Sequence, residues 1–368
     1  MNSTSDKLSP YFSLQLESLR GISAIVVLFT HSFQAFIAPF DLSLYSWVRL
    51  LGQAAVMIFF VLSGFLIGTS IQNNIQKHEN FNLRQYIRQR YRRILPPFLL
   101  ASAFSLILYA LAPTFFASHS HEFQNSFGMM IRTAYNIDTQ DFLGSLFFLN
   151  GFITPTVSAN APLWSLSFEV WFYMLAGFLP FLKDSAIAKI GFFMLLLGLS
   201  ILNFQFLFYF LLWLVAFASS FRQIQLRFLS RLQLVKLVLF GLAFIIACAD
   251  AYQFHVIEQA DLYRVNYFVP FNLCMGLAFV CWIVQLQHQQ SQYQPVWPQF
   301  ANFSYTLYVT HFPLLLFILG CFPATLDYGL EGAVLSLFMS MCSLIFFAWL
   351  MAQWLEPQRK KALSTTLQ

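Results

Sequence analysis

The chain of 368 residues is 58% hydrophobic and only 10% charged, and its mean hydropathy is +0.65. Because a soluble domain carries about 25% charged residues, this composition excludes a soluble globular protein and indicates an integral membrane protein. The apolar runs are roughly 18 to 22 residues long, which fits helices that cross about 30 Å of hydrocarbon rather than the strands of a barrel.

The apolar runs and the breaks between them predict an all-α polytopic membrane bundle of about ten transmembrane helices. The break between the fifth and sixth runs is only Asn203, so this pair is either a tight hairpin or one bent segment. The predicted spans are 17–38, 48–71, 94–116, 161–181, 187–202, 204–221, 235–250, 265–286, 301–320 and 331–354. They delimit an N-terminal segment (1–16), a membrane domain (17–354) and a C-terminal tail (355–368).

The basic residues predict the orientation of this bundle. With the N-terminus in the cytoplasm, the inner side holds all of the 20 Lys and Arg residues except Arg49, Arg132 and Arg264. The positive-inside rule therefore predicts that both termini are cytoplasmic. It also predicts a basic cytoplasmic loop (72–93) and an outer loop (117–160) that caps the outer mouth. This asymmetry explains the formal charge of +5 without nucleic acid as a partner.

Two histidines lie in the predicted outer loop, within the sequence HSHE. His119 and His121 could bind a metal ion, but a zinc site needs at least a third protein ligand. We therefore predict a polar loop and no metal site.

The first span contains the sequence LRGISAIVVLFTH, in which Arg20 and His31 bound an almost wholly apolar run. Ionisable side chains at membrane depth cost several kcal/mol and indicate a functional site. An interval of eleven residues returns to the same helical face after a rise of about 16 Å. Arg20 is thus predicted at the inner edge and His31 near the midplane, on one stripe. The alternative for His31 is a structural hydrogen bond to a neighbouring helix.

Two later segments also carry polar residues at membrane depth. Glu169, in PLWSLSFEVWFY, must be protonated, paired or hydrated there. It would pair with a histidine in an acyl-transfer site, or with another helix in a structural role. Tyr305, Tyr308 and His311, in FSYTLYVTHFP, recur at i, i+3 and i+6. They either line a polar cavity or form hydrogen bonds between helices.

Arginines directly precede the third span, and small residues lie in the inner half of the second. Arg90 and Arg93, in RYRRILP, share a helical face and suit phosphate recognition, or contact with anionic lipids. Gly64 and Gly68 predict close helix packing. The alternative is a ligand that approaches the backbone here, which makes Ser63 a candidate substrate-binding residue.

Five segments in this order resemble the acyltransferase-3 family of integral membrane acyltransferases: LESLRGISAIVVLFTH, FFVLSGFLI, RYRRILP, PLWSLSFEVWFY and FSYTLYVTHFP. The resemblance covers about residues 14 to 355. It implies an enzyme of the bacterial inner membrane that moves an acyl group, usually acetyl, from acetyl-coenzyme A to a hydroxyl of an envelope glycan. Acetyl-CoA would be a co-substrate, and membrane lipids would surround the protein. The resemblance implies no tightly bound cofactor. Many relatives carry a C-terminal hydrolase-like domain; without one, the acceptor is expected to reach the membrane site itself, for instance as a lipid-linked glycan.

The resemblance also implies roles for individual residues. Arg20, Arg90 and Arg93 would bind the phosphates of coenzyme A, and His31 would act as general base or carry the acetyl group. Glu169, or a nearer residue, would orient His31. The acceptor would be a surface polysaccharide such as O-antigen, with peptidoglycan, an exported glucan or a small molecule as alternatives. There are two competing hypotheses. The protein could be a proton-coupled transporter or flippase, or it could be a membrane scaffold without catalytic activity.

Overall fold

The computed structural model describes residues 8–124, 131–221, 231–256, 268–288 and 294–356. Within these ranges the chain forms eleven α-helices and no β-strand, which confirms the predicted all-α class. The helices are α1 (Pro10–Phe36), α2 (Leu42–His78), α3 (Leu83–Phe115), α4 (Thr139–Leu146), α5 (Leu163–Phe178), α6 (Ala186–Leu202), α7 (Phe204–Ala218), α8 (Leu232–Val256), α9 (Phe268–His288), α10 (Ser304–Cys321) and α11 (Gly329–Leu355). Arg264 and most of the predicted tail lie outside the described residues.

Each predicted span overlaps one of these helices; α4 is the additional, short one. Seven of the described helices, namely α1, α2, α3, α8, α9, α10 and α11, are long and apolar enough to cross a membrane. Helices α6 and α7 are apolar but shorter. They are separate helices because Asn203 ends the first and caps the second, its side chain accepting from the Gln205 amide at 3.0 Å. The number of ten crossings and the orientation stay predictions.

Several helices begin earlier than the apolar pattern predicts, because side chains cap their first turns. Asp41 accepts from the Leu44 amide at 2.9 Å, so that Arg49 lies inside α2, where it is buried and forms an ion pair with Asp250 at 2.5 Å. Asn82 caps α3 in the same way. The predicted cytoplasmic loop (72–93) is mostly helical: only residues 79–82 separate α2 from α3, since the Gln and Arg residues here favour helix.

Close packing of α2 against α7 depends on two glycines. A Cβ atom at Gly64 would lie 2.5 Å from the Trp213 carbonyl oxygen, and one at Gly68 would lie 2.7 Å from that of Phe217. No larger residue fits at either position without displacing the backbone of α7. The predicted packing role of this small-residue spacing is confirmed.

The segment predicted to lie on the outer side (117–160, the outer segment) does more than cover the bundle. The ring of Phe148 lies 4.8 Å from that of Phe98, which is near the middle of α3, and the Trp171 indole of α5 donates to the Phe148 carbonyl at 2.8 Å. Another part of the segment is tied to α3 by Tyr135, whose hydroxyl donates to the Ser105 carbonyl. The segment thus inserts between α3 and α5 rather than lying over them as a separate cap.

Candidate active site

Helix α1 carries Arg20 and His31 on one stripe, about 16 Å apart along the axis. A 3₁₀ turn, Pro298–Asn302, packs against α1 beside Arg20. A Cβ atom at Gly21 would lie 2.7 Å from the Phe300 Cβ, so glycine allows this contact. As a result, Nη2 of Arg20 donates to the Ala301 carbonyl at 2.9 Å, whereas its buried Nε finds no partner in the described part of the chain.

A polar cavity of about 690 Å³ opens beside Arg20. Its lining includes Glu17, Arg20, Arg93, Glu356 and Gln353. Arg93 is exposed to it, and the charges of Arg93 and Glu356 both act on Arg20. The structure therefore brings Arg20 and Arg93 together, at a cavity wide enough for a phosphate-bearing ligand.

Glu356 also lines this cavity and is not among the site residues predicted from the sequence. It follows α11, and its Oε1 accepts from the Thr306 amide at 2.9 Å and from the Thr306 hydroxyl at 2.8 Å, which caps the start of α10. Burial raises the pKa of the Glu356 carboxyl, although the bonds from Thr306 and the charges of Arg20 and Arg93 oppose the shift. A lone acid directly after the last apolar run was the only signal in the sequence.

Arg90 does not line the polar cavity. Its guanidinium lies 5.9 Å from the rings of Tyr86 and Tyr173 and 3.4 Å from the Ser70 hydroxyl, beside an apolar cavity of about 460 Å³ between α3, α5 and the start of α6. The structure thus places Arg90 and Arg93 at different cavities, in contrast to the expectation of one shared anion site, although residues three apart are neighbours on a helix.

The second end of the stripe is a pair of histidines. Nδ1 of His31 lies 3.2 Å from Nε2 of His311, which is only 1% exposed. The ring of Phe312 meets His31 edge-on at 5.1 Å. The two histidines are 280 residues apart in the chain, so spacing along one helix could not predict their direct contact.

The hydrogen-bond network assigns the tautomers of the two neutral imidazoles. Nδ1 of His311 faces the carbonyls of Leu307 and Tyr308, at 3.1 and 2.8 Å, and must therefore carry its proton. Its Nε2 is then an acceptor, so that Nδ1 of His31 donates to it and to the Val27 carbonyl. This leaves the lone pair of His31 on Nε2.

The two tyrosines of α10 form hydrogen bonds to neighbouring helices. The Tyr305 hydroxyl donates to the Ile94 carbonyl at 3.0 Å. The Tyr308 hydroxyl bonds to Ser165 and, at 3.1 Å, to the Pro162 carbonyl. The sequence left open whether this motif lines a polar cavity or forms hydrogen bonds between helices. Both hydroxyls form hydrogen bonds between helices, which fix α10 against α3 and α5 beside His311.

Glu169 lies away from His31. Within the described residues its carboxylate accepts from the Tyr173 hydroxyl, which also receives a hydrogen bond from Ser63. Ser63 in turn accepts from the Trp213 indole at 3.1 Å. The expected bond from Glu169 to His31 is absent because His311 occupies that position, and the Glu169 charge acts on Arg20 and Arg90 instead.

Comparison with known proteins gives two matches of different extent. The sequence profile of the acyltransferase-3 family, an acyltransferase domain, matches residues 13–353. Over 142 residues, or 38% of this chain, the sequence is 30% identical to the peptidoglycan O-acetyltransferase OatA of Listeria monocytogenes serovar 1/2a. The matching stretch covers only 21% of that relative. No solved structure matches the chain.

Proposed function

Because the chain belongs to the acyltransferase-3 family, we propose that it is a membrane-embedded O-acetyltransferase. It moves the acetyl group of acetyl-coenzyme A to a hydroxyl of an envelope polysaccharide. The observation that carries this proposal is the pair His31–His311, which leaves an imidazole lone pair about 16 Å along one helix from a cavity lined by two arginines.

The donor binds at the arginine end. Guanidinium groups form short, paired hydrogen bonds with phosphates, and the buried Nε of Arg20, which has no partner among the residues that the structure describes, suits a phosphate beside exposed Arg93. From the phosphates, the flexible arm of coenzyme A runs along α1 and brings the thioester to His31. Glu169 acts at this end as a counter-charge for Arg20 and Arg90, which replaces its expected role at the histidine.

The chemistry takes place at His31. Its Nε2 removes the proton from the acceptor hydroxyl while the hydroxyl oxygen attacks the thioester carbon. The carbon–sulfur bond then breaks, the sulfur leaves with the electron pair, and the proton returns from His31 to the sulfur as the thiol. His311 fixes the ring and the tautomer of His31, as a third residue does in a triad.

The acceptor that we propose is a carbohydrate of the cell envelope, in the inner membrane of a bacterium. O-antigen polysaccharide is the first candidate. Peptidoglycan is the second, and the name of the OatA relative favours it. Mass spectrometry of envelope glycans from cells with and without this protein identifies the acetylated sugar directly, because each acetyl group adds its mass to one residue.

His31→Ala tests the activity. In membrane vesicles with acetyl-labelled acetyl-CoA, we expect transfer of label to glycan to fall by about 10²- to 10⁴-fold, because the base is lost. Binding of coenzyme A should stay within a few-fold. His121→Ala is the matched control, since this histidine bonds to the Tyr109 carbonyl in the outer segment, and it should transfer at the wild-type rate.

Two outcomes would contradict the proposal. If His31→Ala retains near wild-type transfer, His31 is not the base. If labelled acetyl groups never become covalently attached to glycan, the protein is no acetyltransferase, and a proton-coupled transporter remains as the explanation for ionisable residues in the membrane.

A further inference from the structure

Arg132 approaches the histidine pair from the outer segment. Its guanidinium carbon lies 5.5 Å from the centre of the Phe312 ring. The same ring meets His31 edge-on at 5.1 Å and follows His311 in α10. A cation on a chain segment between α3 and α5 thus reaches the end of the stripe that lies opposite Arg20.

The guanidinium of Arg132 is held in a defined orientation. Its Nε donates to the Ser158 carbonyl at 3.2 Å, and its Nη1 donates to the Ile131 carbonyl at 2.6 Å. The side chain is half-buried, and its charge acts on the His31 imidazole. Because these contacts fix the group before any substrate arrives, it can stabilise new charge without reorganising.

We propose that Arg132 is a further catalytic residue, whose guanidinium stabilises the negative charge that develops on the thioester carbonyl oxygen. This role rests on the proposed acetyl transfer. When the acceptor oxygen attacks the carbonyl carbon, the π electrons move to the carbonyl oxygen, and an N–H of Arg132 donates to that oxygen. When the carbon–sulfur bond breaks, the carbonyl re-forms and the charge leaves with the sulfur, which takes the proton from His31.

The surroundings of the histidine pair explain why a cation is needed there. The hydroxyls of Tyr308 and Ser165 already bond to each other and to the Pro162 carbonyl, and the nearby rings of Phe312 and Phe59 have no donor. An oxyanion in such an apolar site gains far more from a fixed donor than it would in water.

The experiment compares Arg132→Gln, Arg132→Lys and Arg132→Ala in proteoliposomes supplied with acetyl-CoA. It measures acetyl transfer to glycan and, without glycan, hydrolysis of acetyl-CoA, in which water is the acceptor. We expect Arg132→Gln to lower both rates by about 10²- to 10³-fold, with the KM values within about threefold of wild type, because both reactions pass through the same oxyanion. Arg132→Lys should be intermediate, and added guanidinium ion should restore part of the rate of Arg132→Ala, which separates lost charge from faulty folding.

Asp141→Asn, a change in the exposed first turn of α4 within the same outer segment, is the control and should leave both rates unchanged. The inference fails if Arg132→Gln raises only the KM for glycan and leaves hydrolysis intact, since Arg132 would then bind the acceptor. It also fails if no Arg132 variant differs from wild type while His31→Ala is inactive. If the His31→Ala variant itself remains active, the proposed function fails instead.

Discussion

The two ends of the polar stripe on α1 differ in almost every physical property. At the arginine end, Arg20 and the exposed Arg93 share a cavity of about 690 Å³ with the carboxylate of Glu356. At the histidine end, His31 and His311 are in direct contact, and aromatic rings surround them. The arginine end is an open polar cavity with charges of both signs; the histidine end is packed with aromatic rings, with the cation of Arg132 beside it.

This difference indicates a division between binding and chemistry. A wide cavity lined by charges attracts an anion and tolerates several positions of it, but its charges are screened by salt. A closed site holds its groups in one geometry, and its electrostatic interactions are stronger because water is excluded. Substitutions at the arginine end should therefore change the KM for the donor, and those at the histidine end should change kcat.

After His31 itself, the largest effect is expected at His311. Replacing it by Leu removes one of the two acceptors for Nδ1 of His31 and leaves only the Val27 carbonyl, so that the ring and the tautomer are held less firmly, and kcat should fall by about 10²-fold. His311→Gln keeps a carbonyl acceptor near the same place and should recover part of this loss. Steady-state kinetics with saturating acetyl-CoA measure both variants.

An equal loss in the Leu and Gln variants would mean that His311 acts by its own proton transfer and not by holding His31. If the His311 variants instead raised the KM for acetyl-CoA and kept the wild-type kcat, the histidine end would serve donor binding, and the division between a binding end and a chemical end would be wrong.

A moderate effect is expected at Arg93. Arg93→Gln removes one charge-assisted hydrogen bond to phosphate, which contributes about 1.5–3 kcal/mol, so the KM for acetyl-CoA should rise by about 10- to 100-fold. The kcat should stay within a few-fold. Arg88→Gln is the matched control, since Arg88 is exposed on the same helix and does not line the cavity. Equal KM values for the two variants would show that general positive charge, rather than this cavity, attracts the donor.

The sequence was sufficient to predict where the helices lie, but not the residues at which they begin. Apolar runs locate the helices because length and hydropathy alone determine what can cross a bilayer. Their first turns lie in polar sequence and depend on single capping side chains such as Asp41 and Asn82, which hydropathy does not register. The insertion of Phe148 between α3 and α5 depends on tertiary packing, and no periodicity in the outer segment marks it.

For the candidate site, the sequence predicted what one helix determines. The spacing of Arg20 and His31 follows from helical geometry and holds in the structure. The contact of His31 with His311 joins α1 to α10. The spacing of residues within one helix cannot predict a contact between two helices. For the same reason spacing does not decide whether Glu169 or a nearer residue orients His31; in the folded chain His311 contacts His31, and Glu169 bonds to Tyr173.

The smallest effect, and the one that links the two ends, is expected at Glu356. Its side chain caps α10 five residues before His311 and faces Arg20 and Arg93. Because burial raises the pKa of this carboxyl in the folded protein, its contribution to stability is present below the ordinary pKa of about 4.3 and is lost as pH rises through the folded value.

Glu356→Gln keeps an oxygen for Thr306 but does not ionise, so it should raise Tm at pH 7.5 by about 2 °C or less, and the gain should vanish near pH 4. Thermal unfolding at the two pH values measures this, with kcat unchanged if the cap holds α10. A variant that is less stable at pH 7.5 would show instead that the ionised carboxylate is needed between the two arginines.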